Sequence, residues 1–177
     1  MKTSLRYEPL ADMLESDQEA LAIPVNCEGV MGAGLARSFK QRHPEAFVTY
    51  NVSCRMGTLT PGTVSSALIF DKPTIRTAIF VPTKMHWRNP STVVLMETSL
   101  KALKEFLVER SVAKGPLKSL AIPKLGCGLG NLSWDVVGPM ILSFVESLDD
   151  SVVESVVVYS EPIKTLKEEV HGNGQSY

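Results

Sequence analysis

The chain has 177 residues, of which 44% are hydrophobic and 21% charged, with a formal net charge of −1. That is one domain's worth of globular sequence, long enough to bury a core without disulfides or metals, which excludes wholesale disorder and two large domains. No apolar run approaches the ~20 residues of a membrane span, and residues 1–4 lead into polar sequence without a signal-peptide core, so a cytoplasmic protein with no membrane partner is expected.

In chain order, residues 20–25 form a short apolar run that predicts a buried strand. The Gly32-Ala33-Gly34 stretch opens a helix through Leu35, Phe39 and Gln41, and Pro44 begins another to about Cys54. Pro61-Gly62 signals a turn into a strand ending near Phe70, and residues 75–81 predict a stronger strand. Residues 91–110 carry Val93, Met96, Leu100, Leu103 and Leu107 at helical spacing, one apolar stripe. A strand over 117–122, a helix over 134–147 with Ser133 as its N-cap, and a last strand over 152–159 complete the pattern. Alternating strands and helices predict an α/β fold, a three-layer α/β/α domain over residues 1–160 around a mixed, largely parallel sheet. Residues 161–177 read as a flexible tail.

Chemistry-bearing residues gather in three loops that follow predicted strands, where α/β sheets place ligands. The first, residues 25–36 (VNCEGVMGAGLA), is a strand, a loop with three glycines and a helix start, the pattern that brings backbone N–H groups and a helix N-terminus to a phosphate. It is neither a GxxxxGK[ST] loop nor a GxGxxG loop. The second, residues 122–132 (IPKLGCGLGNL), repeats the arrangement, so the two are placed to clasp a diphosphate from both sides. The third, residues 81–90 (VPTKMHWRNP), holds Lys84, His86, Trp87 and Arg88 within five residues. An ammonium in a half-desolvated loop serves either as nucleophile or as electrostatic stabiliser, and Trp87 either stacks a base or caps the core. Cys127 has no histidine partner in a recognisable motif and is read as a bystander thiol. The three cysteines, Cys27, Cys54 and Cys127, form no CxxC pair, and His43, His86 and His171 are scattered, so no metal is expected. Residues 29–90 hold eight cations against Glu45 and Asp71, an excess of six on a chain of net −1, which suits an anionic ligand or a solvated surface.

Taken together, the three loops resemble the macro domain, the ADP-ribose-binding module. The pattern VNCxGVMGxGLAxxFKxxxPE falls on residues 25–45, PTKxHWRxPS on 82–91 and IPxLGCGLGxLxW on 122–134, in the family's order and spacing. The likeness is nearest to the macro domains of DarG-type antitoxins, which remove ADP-ribose from thymidine in DNA, and extends to the terminal ADP-ribose protein glycohydrolase, which removes it from glutamate.

What the resemblance implies is residue-specific. Asp12, followed by Met13, matches the aspartate that accepts from the adenine amine, with Ala11 where the family has glycine. Asn26 matches the asparagine beside the distal ribose. Gly29, Val30, Met31, Gly32, Gly34 and Leu35 match the first phosphate loop. Gly126, Cys127, Gly128, Leu129, Gly130, Asn131 and Leu132 match the second. Thr83 and Tyr159 fall at ligand-facing positions, and Lys84 matches the lysine both hydrolases need. The glutamate-directed enzyme has an aspartate at the position of Gly130, whereas the DarG type has glycine, and His86, Trp87 and Arg88 would then face DNA. The resemblance thus implies a monomeric, cofactor-free hydrolase of ADP-ribosylated thymidine in single-stranded DNA, free-standing since no toxin-binding domain follows. A non-catalytic ADP-ribose reader and a hydrolase of ADP-ribosylated protein or of ADP-ribose 1″-phosphate are the alternatives.

Overall fold

The computed structural model describes residues 1–163. In chain order they form β1 (Ser4–Tyr7), β2 (Ala20–Val25), α1 (Gly34–Arg42), α2 (Pro44–Arg55), β3 (Ser65–Ile69), β4 (Arg76–Pro82), α3 (Val93–Lys114), β5 (Leu117–Ile122), α4 (Trp134–Glu146) and β6 (Val153–Val158), with a short 3-10 turn, Met13–Glu15, before β2. The elements read from the sequence are present with ends moved by a few residues. Helix α3 runs a turn past Arg110 because nothing breaks it before Gly115, whose φ of +81° favours glycine and turns the chain out of the helix. Its buried stripe starts at Met96, since Val93 sits in the first turn and stays exposed. Strand β1, too short and polar to announce itself, forms because the edge of β6 pairs with it from Ser4 to Tyr7.

One six-stranded sheet runs in the order β1-β6-β5-β2-β4-β3. All neighbours pair parallel except β3, which runs antiparallel to β4 at the edge. Alternation along the strands sends Leu21, Ile23, Ala78 and Phe80 to one face, against Phe39 of α1 and Tyr50 of α2. It sends Ala20, Ala22, Ile79 and Val81 to the other, against Met96 and Leu103 of α3 and Ile141 of α4. The result is the expected three-layer α/β/α arrangement. Ile163, within the segment read as a tail, is buried against α4 and the core; the rest of that segment, residues 164–177, lies outside the described residues. No helix among the described residues is long and apolar enough to cross a membrane.

The topology decides where a ligand goes. From β2 the chain moves to β4 on one side, then crosses back to β5 on the other, so strand order reverses at β2. Strand β2 pairs with β5 only through Ala20 and Leu21 but with β4 all the way to Val25. Its C-terminal half is therefore open on the β5 side, and a crevice at such a switch point is where open α/β sheets bind.

One cation of the basic stretch serves the fold instead of a ligand. Arg76 is 1% exposed. It donates to both Asp71 carboxylate oxygens at 2.7 Å and to the Ser16 carbonyl at 2.6 Å, with His43 Nε2 3.7 Å from the same carboxylate. Burial pushes the Asp71 carboxyl up, but the Arg76 hydrogen bonds and charge outweigh it and hold the group below its usual value; burial also lowers His43, against the pull of Asp71. Replacing Asp71 by Ala strands a buried guanidinium and is expected to cost about 3 kcal/mol in urea unfolding, the low end for a broken buried pair since the carboxylate is partly wet. Both folded values lie below their unfolded ones, so both contributions are full at neutral pH and fade on acidification. The His43 part is lost first, below pH 6.5, and the Asp71 part below 3.8. A melting temperature that did not fall across this range would contradict the assignment.

Candidate functional site

The loops after β2, β4, β5 and β6 converge at the C-terminal edge of the sheet. In the loop after β2, Asn26 folds back on the chain. Its Oδ1 accepts from the Glu28 and Val30 amides at 3.0 and 3.4 Å, and its Nδ2 donates to the Val30 carbonyl at 2.8 Å. From beneath, the buried Tyr50 hydroxyl lies 2.9 Å from both the Asn26 carbonyl and Oδ1. Asn26, expected beside a ribose, is thus 8% exposed and engaged as the brace of the loop. Gly29 has φ +78°, a conformation that favours glycine, and a Cβ there would stand 2.6 Å from Asn51 Nδ2 and displace that side chain. Met31 is buried as the loop's anchor while Gly32 and Ala33 face outward. Helix α1 then begins at Gly34 with no side-chain cap, leaving first-turn amides free to meet an anion.

The loop after β5 is built to the same end by tighter packing. The Leu132 amide donates to the Gly126 carbonyl at 3.0 Å, Asn131 to Gly128 at 3.1 Å, and the Ser91 amide to the Gly130 carbonyl at 2.9 Å. A Cβ on Gly130 would lie 2.3 Å from the Gly126 carbonyl oxygen and 2.4 Å from Ser91 Oγ. No side chain, aspartate included, fits at 130 in this backbone. The two loops approach across the crevice: a Cβ on Gly34 would touch Leu129 Cδ1 at 3.8 Å. Burial pushes Cys27 up to about 11 and raises Cys54 and Cys127 as well, so none of the thiols is prepared as a thiolate.

The loop after β4 is sewn to the first. Thr83 and Lys84 amides donate to the Val25 carbonyl at 2.8 and 3.4 Å, and the Cys27 amide donates to the Met85 carbonyl at 3.0 Å. Lys84 is half-buried, its Nζ 3.5 Å from the Trp87 carbonyl. Trp87 is exposed, with the Arg88 guanidinium 4.7 Å from its ring centroid, so it does not cap the core. Glu28, unremarked in the sequence, spans the two loops: Oε1 is 2.5 Å from His86 Nδ1 and Oε2 accepts from the Trp87 amide at 3.2 Å.

At the far end, Asp12 caps the 3-10 turn by accepting from the Leu14 amide at 2.9 Å, and Arg42 reaches its other oxygen at 3.3 Å. Half the Asp12 side chain remains exposed. Met13 is buried. Tyr159, just past β6, is fixed by its hydroxyl donating to Gln18 Oε1 at 2.6 Å.

The sequence model of the macro domain matches residues 23–141. The chain belongs to the macro domain family. It is 38% identical over 148 residues to the DNA ADP-ribosyl glycohydrolase of Mycobacterium tuberculosis, covering 82% of this chain and 40% of that protein. The chain therefore spans about two fifths of that curated relative. Among solved structures, the macrodomain of Mycobacterium tuberculosis DarG superposes with a TM-score of 0.79 at 34% identity, over 90% of this chain and 99% of that one. Thermosipho africanus DarTG in complex with ADP-ribose gives a TM-score of 0.76 at 27% identity, over 94% of this chain and 44% of the other. In this macro domain the two glycine loops and the lysine loop share one edge of the sheet. Sequence reasoning missed Glu28, Tyr50, Asn51 and Ser91, which hold those loops in shape and carry no local signature of doing so.

Proposed function

We propose that this macro domain binds ADP-ribose and hydrolyses it from modified thymidine in DNA. The observation that carries the reading is the meeting of three loops at one crevice: two present backbone amides to a diphosphate, and one presents Lys84 beside them. Holding the diphosphate orients the distal ribose, so the loops supply binding and proximity. Lys84 then acts on the glycosidic bond, either as a neutral amine that attacks the anomeric carbon or as an ammonium that meets charge developing on the departing base. A DNA substrate is supported by the relatives' names and by the closed position at Gly130, which leaves no room for the carboxylate of the glutamate-directed enzyme.

The charge distribution supports DNA too. Of the eight cations in residues 29–90, Arg42, Lys72 and Arg76 are paired with acids. Arg37, Lys40, Arg55, Lys84 and Arg88 form no ion pair among the described residues, and all of these but Arg55, at the end of α2, lie on α1 or the lysine loop, beside the crevice. We infer that single-stranded DNA runs past this rim with Trp87 stacking a base. Affinity for an ADP-ribosylated oligonucleotide should then exceed that for ADP-ribose and fall with added salt, while ADP-ribose itself responds weakly. Equal affinities at low and high salt would remove DNA from the account.

Asp12 has one oxygen turned inward to the Leu14 amide and the other on its half-exposed side, 3.3 Å from Arg42. We expect Asp12→Ala to weaken ADP-ribose by about 1.5–3 kcal/mol, the worth of a hydrogen bond to a charged group, with calorimetry as the check. An inosine analogue binding the wild type as tightly as the adenosine form would contradict adenine reading. The missing carboxylate at Gly130 favours one rival, a non-catalytic reader. Turnover measured in parallel on thymidine-linked DNA, glutamate-linked protein and ADP-ribose 1″-phosphate tests the reading, with the DNA substrate expected to be cleaved fastest.

A further inference from the structure

Hydrolysis adds a water to the anomeric carbon, and that water must lose a proton. The second glycine loop offers no carboxylate for this, since the packing of Gly130 against the Gly126 carbonyl and Ser91 closes position 130 to any side chain. A carboxylate and an imidazole meet elsewhere on the same rim. Glu28 Oε1 lies 2.5 Å from His86 Nδ1, and Oε2 takes the Trp87 amide at 3.2 Å. Glu28 is three residues past the end of β2, and His86 is on the lysine's own loop, two residues past Lys84. The Cys27 amide to Met85 carbonyl bond, at 3.0 Å, ties the loops together between them.

We propose that His86 is the proton acceptor for the hydrolytic water and that Glu28 is its positioning residue. By accepting from Nδ1–H, the carboxylate fixes the tautomer whose Nε2 carries a free lone pair, the arrangement that makes an imidazole a base. The second Glu28 oxygen, on the Trp87 amide, holds the loop that carries both His86 and Lys84, so one side chain sets the geometry of both. His86 remains about half exposed, open to water. Glu28 is held below the usual carboxylate range by its hydrogen bonds to His86 and Trp87, so it is ionised when it does this.

The inference rests on the hydrolase reading above. In the step it describes, the water oxygen bonds to the anomeric carbon and its proton passes to His86 Nε2. The bond from that carbon to the thymine ring nitrogen breaks, its electron pair leaves with the nitrogen, and the Lys84 ammonium supplies the proton that neutralises it. His86 then returns its proton through solvent to Lys84, which leaves ADP-ribose and unmodified thymidine as the products.

The experiment compares wild type, His86→Ala and Glu28→Gln for release of ADP-ribose from a thymidine-linked oligonucleotide and for affinity toward free ADP-ribose. His86→Ala should lower kcat about 10²-fold, the scale of one lost acid–base group, with product affinity unchanged and with activity partly restored by added imidazole. Glu28→Gln keeps the shape of the side chain and should lower kcat less, again without loss of affinity. Wild-type kcat in both variants would overturn the proposal while leaving the hydrolase reading intact. A loss of kcat and of affinity together, without imidazole rescue, would overturn it too, since that is what a merely structural strap predicts. If the wild type itself releases no ADP-ribose, the hydrolase reading falls and the proposal with it.

Discussion

Lys84→Ala is expected to lower turnover of thymidine-linked ADP-ribose by about 10²-fold or more, the scale of a positioned catalytic group, while affinity for ADP-ribose changes little. The expectation follows from where the ammonium stands. It is on a loop of its own, 3.5 Å from the Trp87 carbonyl, and it is not part of either glycine loop that would hold the diphosphate. A group that binds ground state and transition state alike raises KM when removed; one that acts only as the bond breaks lowers kcat. Lys84→Arg sharpens the reading. Arginine keeps the charge but neither forms a Schiff base nor gives up a proton, so recovery with Arg favours charge stabilisation alone and continued loss favours a lysine that donates a proton or bonds to the ribose. Measuring kcat and calorimetric affinity on each variant checks the split. Wild-type kcat in Lys84→Ala would remove the lysine from the chemistry.

The second large effect is expected at Gly130. Introducing aspartate there should damage the site and not improve it. The first side-chain atom would overlap the Gly126 carbonyl oxygen at 2.3 Å and Ser91 Oγ at 2.4 Å. The Gly126 atom is backbone and cannot swing aside, so the loop itself must move. Overpacking of this kind costs about 1–3 kcal/mol of stability. The displaced loop also loses amide contacts to phosphate, each worth about 1.5–3 kcal/mol, which is a fall of about 10- to 100-fold in ADP-ribose affinity. Alanine should do nearly the same, because the clash is at Cβ. Melting temperature and calorimetry on Gly130→Ala and Gly130→Asp check this, and an aspartate variant that binds normally and hydrolyses glutamate-linked ADP-ribose would contradict it.

Much of this was legible in the chain. Hydrophobic runs marked β2, β4 and β5 because buried parallel strands are apolar on both faces, and the glycines marked loops because the backbone there takes a positive φ or packs too closely for a side chain. Strand β1 was illegible, since Ser4–Tyr7 owes its conformation to the edge of β6 and not to its own pattern. Charge was legible as a sum but not as an arrangement. Arg76 counts as a surface cation in the sequence, yet Asp71 and Ser16 draw it into the interior. Asn26 adds a second role that its motif does not announce: Tyr50, 24 residues away, engages its side-chain oxygen in holding the loop. The Glu28–His86 pair, separated by 58 positions, exists only because β2 and β4 are neighbours in the sheet.

The most direct test of the central claim, that this macro domain hydrolyses the linkage it binds, is to mix an oligonucleotide carrying thymidine-linked ADP-ribose with protein at a small fraction of its concentration and follow free ADP-ribose over time. The account predicts release of more ADP-ribose than there are protein molecules, with unmodified DNA left behind. Tight binding of the modified oligonucleotide with no release would contradict it and make the protein a reader.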